Sequence, residues 1–251
     1  VIGILISNFA FGQDPEYLSE NHEFKNGEIA YMFGNDVKFR DQPNAKSKVL
    51  NLLKIGEQIE IIEKSDSKME FDGIESPWYK VKANDKIGFV LGNLISLDKA
   101  TNGNLTYLVS LKKDGLKLYA KTRVLENGLD FKENISQLMT REFSIKAIGN
   151  KGLENIKSIF KIDYLADSCG VNGGGIYLFY DGKNLIKAID YTQVSDADYW
   201  FVEEYIFPND KDGKEGKIVY KRKIGETKEY ETEWVETKLT QRILKWNGKE
   251  I

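Results

Sequence analysis

Residues able to do covalent chemistry are few in this chain. Its one cysteine, Cys169, sits in the stretch LADSCGVNGGG (165–175), directly after Asp167 and Ser168. A thiol nucleophile needs a base, because a free thiol with a pKa of about 8.5 is only slightly ionised at neutral pH. That base is usually a histidine held by a further polar group. The one histidine here, His22, lies far upstream in a polar stretch, and none follows Cys169. A catalytic thiolate also profits from a helix N-terminus, whereas GVNGGG and the strand-like IYLFY follow this one. Cys169 therefore reads as a small hydrophobe at a strand end, and no catalytic residue is expected. A lone cysteine makes no internal disulfide. With no CxxC or histidine-rich spacing, neither a metal site nor a cofactor is expected.

Three other patterns carry weaker chemistry. The run VNGGG (171–175) lacks the Gly-Lys-Ser/Thr of a phosphate loop and reads as a turn or bulge. NDKDGKEGK (209–217) imitates a calcium loop through Asp210, Asp212 and Gly213. With Gly213 in the glycine position, the first ligand falls on Pro208 and no glutamate closes the loop, so an exposed hairpin loop is expected. Glycan hydrolysis would need two carboxylates at a fixed separation, which sequence cannot pick out among 39 acidic residues. EEY (203–205) and DADYW (196–200) have aromatic neighbours suited to sugar stacking, though a strand-rich region packs such residues anyway.

The elements that must position any site are read from composition and pattern. The 251 residues are 41% hydrophobic and 12% aromatic, enough for one large or two modest cores. Against 39 acidic residues stand 36 basic ones, so nucleic-acid binding has no electrostatic footprint. The alternating charges of KRKIGETKEYETEWVETK read as a solvated face, not a partner site.

The segment VIGILISNFAFG (1–12) lacks a leading Met and is apolar, yet too short to span a bilayer. It reads as the remnant of a secretory signal peptide, and its FGQ ending resembles those of exported Bacteroidetes-type proteins. No cysteine follows to take a lipid, and no integral membrane segment is expected in the mature chain. Residues 13–26 read as a linker. The expected location is periplasmic or at the cell surface.

From Gly27, short runs of strand length separated by turn residues follow one another, and QIEIIEK alternates between faces. So small a sheet must curl to hide its edges. VKFRDQPNAKSKVLNLLKIGEQIEIIEKS followed by PWYKVKANDKIGFVLGNLIS resembles the bacterial SH3 (SH3b) domain over about residues 27–98. The matching positions are Val37, Phe39, Arg40 and Pro43; then Val49, Leu50, Leu53, Gly56, Glu57, Ile59 and Ile61; then Trp78, Tyr79 and Val81. Phe89 stands where the family usually has Trp, and SDSKMEFDGIES lengthens the loop before Trp78. The resemblance implies a small barrel that binds cell-wall peptide or a partner protein. An aromatic groove would draw on Tyr31, Phe33, Arg40, Trp78, Tyr79 and Phe89, with Asp41 adding charge. Trp78 and Phe89 lean towards the barrel core, and Tyr31 and Tyr79 towards a half-wet face.

Residues 102–251 read as a larger antiparallel β-sheet domain of no recognised family. KKDG turns one hairpin, YDGK and WNGK form tight turns, and one or two short helices are expected within 133–166. The whole is expected to be a mainly β, exported, non-enzymatic protein that binds peptidoglycan peptide or an envelope protein. Two alternatives are an envelope glycan hydrolase with a carboxylate pair in the C-terminal domain, and an inhibitor that presents the 65–77 loop.

Overall fold

The computed structural model describes residues 17–251 except 129, 166–172, 197, 230 and 233. Cys169 and the 1–12 segment lie outside the described residues. The first six strands are β1 (Ile29–Tyr31), β2 (Val37–Arg40), β3 (Val49–Leu53), β4 (Gln58–Phe71), β5 (Ile74–Ala83) and β6 (Lys86–Leu91). They form one curled antiparallel sheet in the order β1-β4-β5-β6-β2-β3, closed by a short 3-10 turn at Gly92–Leu94. Alternation puts Ile59 and Ile61 inside and Gln58 and Glu60 outside. Phe39, Leu53, Tyr79, Val81 and Val90 complete this core with Phe24 from outside the sheet. Gly56 holds φ +75° in the β3–β4 turn, a conformation that costs a side chain energy.

A second sheet follows in the order β10-β9-β8-β7: β7 (Lys99–Asn102), β8 (Leu105–Asp114), β9 (Lys117–Glu126) and β10 (Phe131–Gln137). The KKDG hairpin turns at Gly115 and Leu116, with Asp114 opposite Lys117. A third sheet runs in sequence order through β11 (Phe143–Ala147), β12 (Ser158–Tyr164), β13 (Gly173–Tyr180), β14 (Leu185–Ser195), β15 (Tyr199–Ile206), β16 (Ile218–Glu229) and β17 (Trp234–Leu244). The C-terminal region is thus two sheets where one was expected. Tyr107 of the second sheet stacks on Phe160 of the third, centroids 4.8 Å apart, in a shared core. Phe179, Tyr191 and Phe207 build another core that also includes β12 residue Ile159. Covered on both faces, all eight residues of β13 are buried.

Four expectations need correcting. Among the described residues the 133–165 stretch forms strands and no helix, because its apolar residues are used by sheet pairing. Residues 17–26 are no loose linker: Leu18 bridges Phe143 and is buried with Phe24, and Glu20 pairs with Lys113 at 2.6 Å. YDGK is a four-residue loop, Asp181–Asn184, whose Asp181 carboxylate accepts the N–H groups of Lys183 and Asn184; WNGK lies beyond β17 and joins no two strands. Gly173–Gly175 belong to a strand and not a turn, because a Cβ on Gly174 would lie 2.1 Å from the Tyr191 carbonyl oxygen and one on Gly175 2.2 Å from that of Ile162.

A candidate ligand cleft between barrel and second sheet

The family-lengthened stretch 65–77 is a hairpin, not a loop. β4 and β5 continue pairing to Phe71 and Ile74, past irregularities at Ile61/Glu63 and Lys64/Lys68. Its tip docks on the second sheet: the Lys113 N–H donates to the Asp72 carbonyl at 2.8 Å, and Lys121 pairs with the Asp72 carboxylate. Gly73 sits so close that a Cβ would fall 2.1 Å from the Lys113 carbonyl oxygen. Asn93 ties the last pair before the tip to the second sheet, its amide donating to the Phe71 and Leu111 carbonyls. Docked in this way, the hairpin offers no free extended loop for an inhibitor to present.

Between this hairpin, the β1–β2 connection and β9 lies a cleft of about 390 Å³. Its apolar lining is Phe33, Val37, Met69, Phe71, Trp78, Leu91 and Leu94. Its charged lining is Lys38, Arg40, Lys121 and Arg123 against the single carboxylate Asp36. Each element places its side chains by parity. In β5, Tyr79 and Val81 point into the barrel, so Trp78 and Lys80 take the outer face. Arg123 is held on three sides: its guanidinium lies 4.3 Å from the Phe33 ring centroid and 4.2 Å from that of Phe131, one N–H donates to the Phe33 carbonyl at 2.7 Å, and another donates to Glu133 at 2.7 Å. Arg40 donates to the Ser47 carbonyl at 2.6 Å. Lys54 pairs with Asp36 at the rim. The cations are thereby prepositioned, which lowers the entropic cost of meeting an anionic ligand.

Of the expected groove residues, the structure brings together Phe33, Arg40 and Trp78. Tyr79 is a correction: it is 1% exposed within the barrel core, its ring edge-on to Phe24 and its hydroxyl accepting the Phe24 N–H at 3.4 Å. Burial pushes its phenol pKa up. Trp78 lies outside the barrel core yet is 4% exposed, because the cleft walls cover it. Tyr31 faces a separate shallow hollow beside Ile55 and Asn104, with the Lys99 ammonium 3.6 Å above its ring. Phe89 is half-buried opposite Lys80 and Arg40 and does not line the cleft. Asp41 is also half-buried and does not reach it. Sequence reasoning missed Met69, Phe71, Lys38, Lys121 and Arg123. The Met69–Phe71 alternation was a usable signal for the first two.

The other patterns are accounted for locally. Asp210 accepts the Phe207 N–H with one oxygen and binds Lys151 at 2.7 Å with the other, so its carboxylate closes its own loop. Glu203 accepts from the Tyr220 hydroxyl at 2.6 Å and the Thr192 N–H at 3.2 Å. Among the described residues no group of three or more His, Cys, Asp or Glu side chains could hold a metal ion, and no helix is long and apolar enough to cross a membrane.

No curated protein and no solved structure matches the chain. A family model does match, over residues 35–96, and its description is the bacterial SH3 domain. The match spans β2 through β6 and the turn that closes the barrel, the same strands that carry Arg40 and Trp78 to the cleft. The barrel of this chain is therefore a bacterial SH3 domain.

Proposed function

We propose that this is an exported, non-enzymatic binding protein, and that the cleft beside the SH3 barrel takes a short peptide of the cell wall. The observation that carries the reading is the pairing of an apolar floor, Trp78 with Phe71 and Met69, with a cationic rim of Lys38, Arg40, Lys121 and Arg123. A short peptide with small apolar side chains and free carboxylates would match both parts of this lining. Bacterial SH3 domains are binding modules often associated with cell walls, and the apolar start of the sequence supports export.

The test is retention of the chain on purified peptidoglycan beside a Phe71→Ser, Lys38→Glu variant. Phe71 is 39% exposed and Lys38 lies on the surface, so both changes spare the core. Retention by the unchanged chain and its loss in the variant is the expected result. Failure of the unchanged chain to bind would remove the wall ligand and leave an envelope protein segment as the occupant.

A further inference from the structure

The seventh strand of the third sheet is a free edge. β17, WVETKLTQRIL, pairs with β16 on one side and has no partner on the other among the described residues. Nine of its eleven residues are exposed, including Leu239 at 64%, Trp234 at 59%, Ile243 at 46% and Val235 at 41%. Edges of this length are normally blunted by charged side chains, proline, a bulge or covering structure. Of these, this edge carries the charges Glu236, Lys238 and Arg242. Here no proline occurs, and the irregularity between Thr227 and Glu229 falls on the inner strand.

The sequence of this edge is close to a palindrome in chemistry. Two antiparallel copies related by a twofold axis perpendicular to the sheet must pair residues whose numbers have an even sum, since directly opposed side chains share a face. With the axis at Leu239, Trp234 meets Leu244, Val235 meets Ile243, Thr237 meets Gln241, Lys238 meets Thr240 and Leu239 meets itself. Glu236 then lies opposite Arg242, twice. Shifting the axis to Lys238 sets that lysine against its own copy and Val235 against Gln241. Shifting it to Thr240 sets Lys238 against Arg242. Of these three registers only the central one joins apolar with apolar and acid with base. An axis at Thr237 also sets Val235 on Leu239 and Glu236 on Lys238, but pairs only residues 234–240, whereas the Leu239 axis pairs the whole strand. Directly opposed like charges destabilise a pair, whereas opposite charges and apolar pairs support it.

We propose that β17 pairs antiparallel with β17 of a second copy of this chain about Leu239, joining two seven-stranded sheets into one. The contact runs about 37 Å at 3.4 Å per residue, without involving the SH3 cleft. It does not rest on the reading of that cleft, and either can fail alone.

The experiment is sedimentation equilibrium of the chain over micromolar concentrations, with Glu236→Arg, Arg242→Glu and the double variant. The unchanged chain should approach twice its 28.7 kDa mass. Each single reversal opposes two like-charge pairs and should raise the dimer dissociation constant at least about tenfold. The double variant restores both pairs with the charges exchanged and should return the dimer. Glu236→Arg also loses the 3.6 Å contact with Lys228 inside one chain, but that loss persists in the double variant, so recovery cannot come from it. A monomer at every concentration overturns the proposal. So does a dimer indifferent to the single reversals, or one that the double variant fails to restore.

Discussion

Gly73→Ala tests whether the 65–77 hairpin is clamped onto the second sheet as a wall of the cleft. Gly73 has φ +73°, where an alanine costs about 1–2 kcal/mol, offset by about 0.4–1 kcal/mol from the stiffer unfolded chain. Gly115 has φ +57° and open space around its missing Cβ, so Gly115→Ala measures that balance alone. At Gly73 the new methyl would fall 2.1 Å from a backbone oxygen that belongs to a paired strand and has little freedom to retreat. The tip must lift instead. It then loses the Lys113–Asp72 hydrogen bond, about 0.5–1.5 kcal/mol, and the half-buried Lys121–Asp72 pair, about another 1 kcal/mol. Gly73→Ala should therefore cost about 2–4 kcal/mol, against about 1 kcal/mol or less for Gly115→Ala. Urea unfolding followed by tryptophan fluorescence reads both, since Trp78 lies beneath the hairpin. Equal losses in the two variants would refute the clamp.

Two further outcomes follow from buried phenols. Burial raises Tyr107 to about 12, and likewise raises Tyr164, Tyr177 and Tyr191 above their ordinary value of 10.0. Their folded pKa values exceed the unfolded ones, so stability should be flat below pH 10.0 and fall above it as the unfolded chain ionises first, each group adding about 1.4 kcal/mol per pH unit; stability that stays constant to pH 12 in alkaline urea titrations would contradict this. The Tyr107 hydroxyl is buried near Ser158 without a hydrogen bond of good geometry, whereas the Tyr180 hydroxyl donates to Glu126 at 3.0 Å. Tyr107→Phe should be neutral or stabilising within about 1 kcal/mol and Tyr180→Phe should cost about 1–2 kcal/mol, and equal costs in thermal unfolding would count against that assignment.

The barrel was legible because its strands alternate cleanly and its turns carry Gly56 and Asn84 at positive φ. What alternation left open was phase. WYKV fits a strand with either tyrosine or tryptophan inward, and only the whole sheet shows that Tyr79 and Val81 face in. The hairpin was hidden because Met69 and Phe71 are the few apolar residues in a polar run, and its docking partners Lys113 and Lys121 lie some forty to fifty residues downstream. Lys121 and Arg123 were hidden for the same reason: in AKTRV they look like the wet face of an ordinary strand. The buried linker was missed because Leu18 and Phe24 are isolated anchors with no period. Local pattern thus revealed the strands. The cleft arises where two sheets meet, which local pattern does not encode.

The central claim is that the cleft floored by Trp78 is the ligand site. Its most direct measurement is the indole N–H resonance of Trp78, assigned with a Trp78→Phe variant and followed in 15N-labelled protein during titration with a soluble wall stem peptide. The account predicts a saturable shift of that resonance, together with the Lys38 and Phe71 amides, and its loss in the Phe71→Ser, Lys38→Glu variant. Saturable shifts confined to the Tyr31 hollow or the β15–β17 ribbon, with Trp78 unmoved, would contradict it.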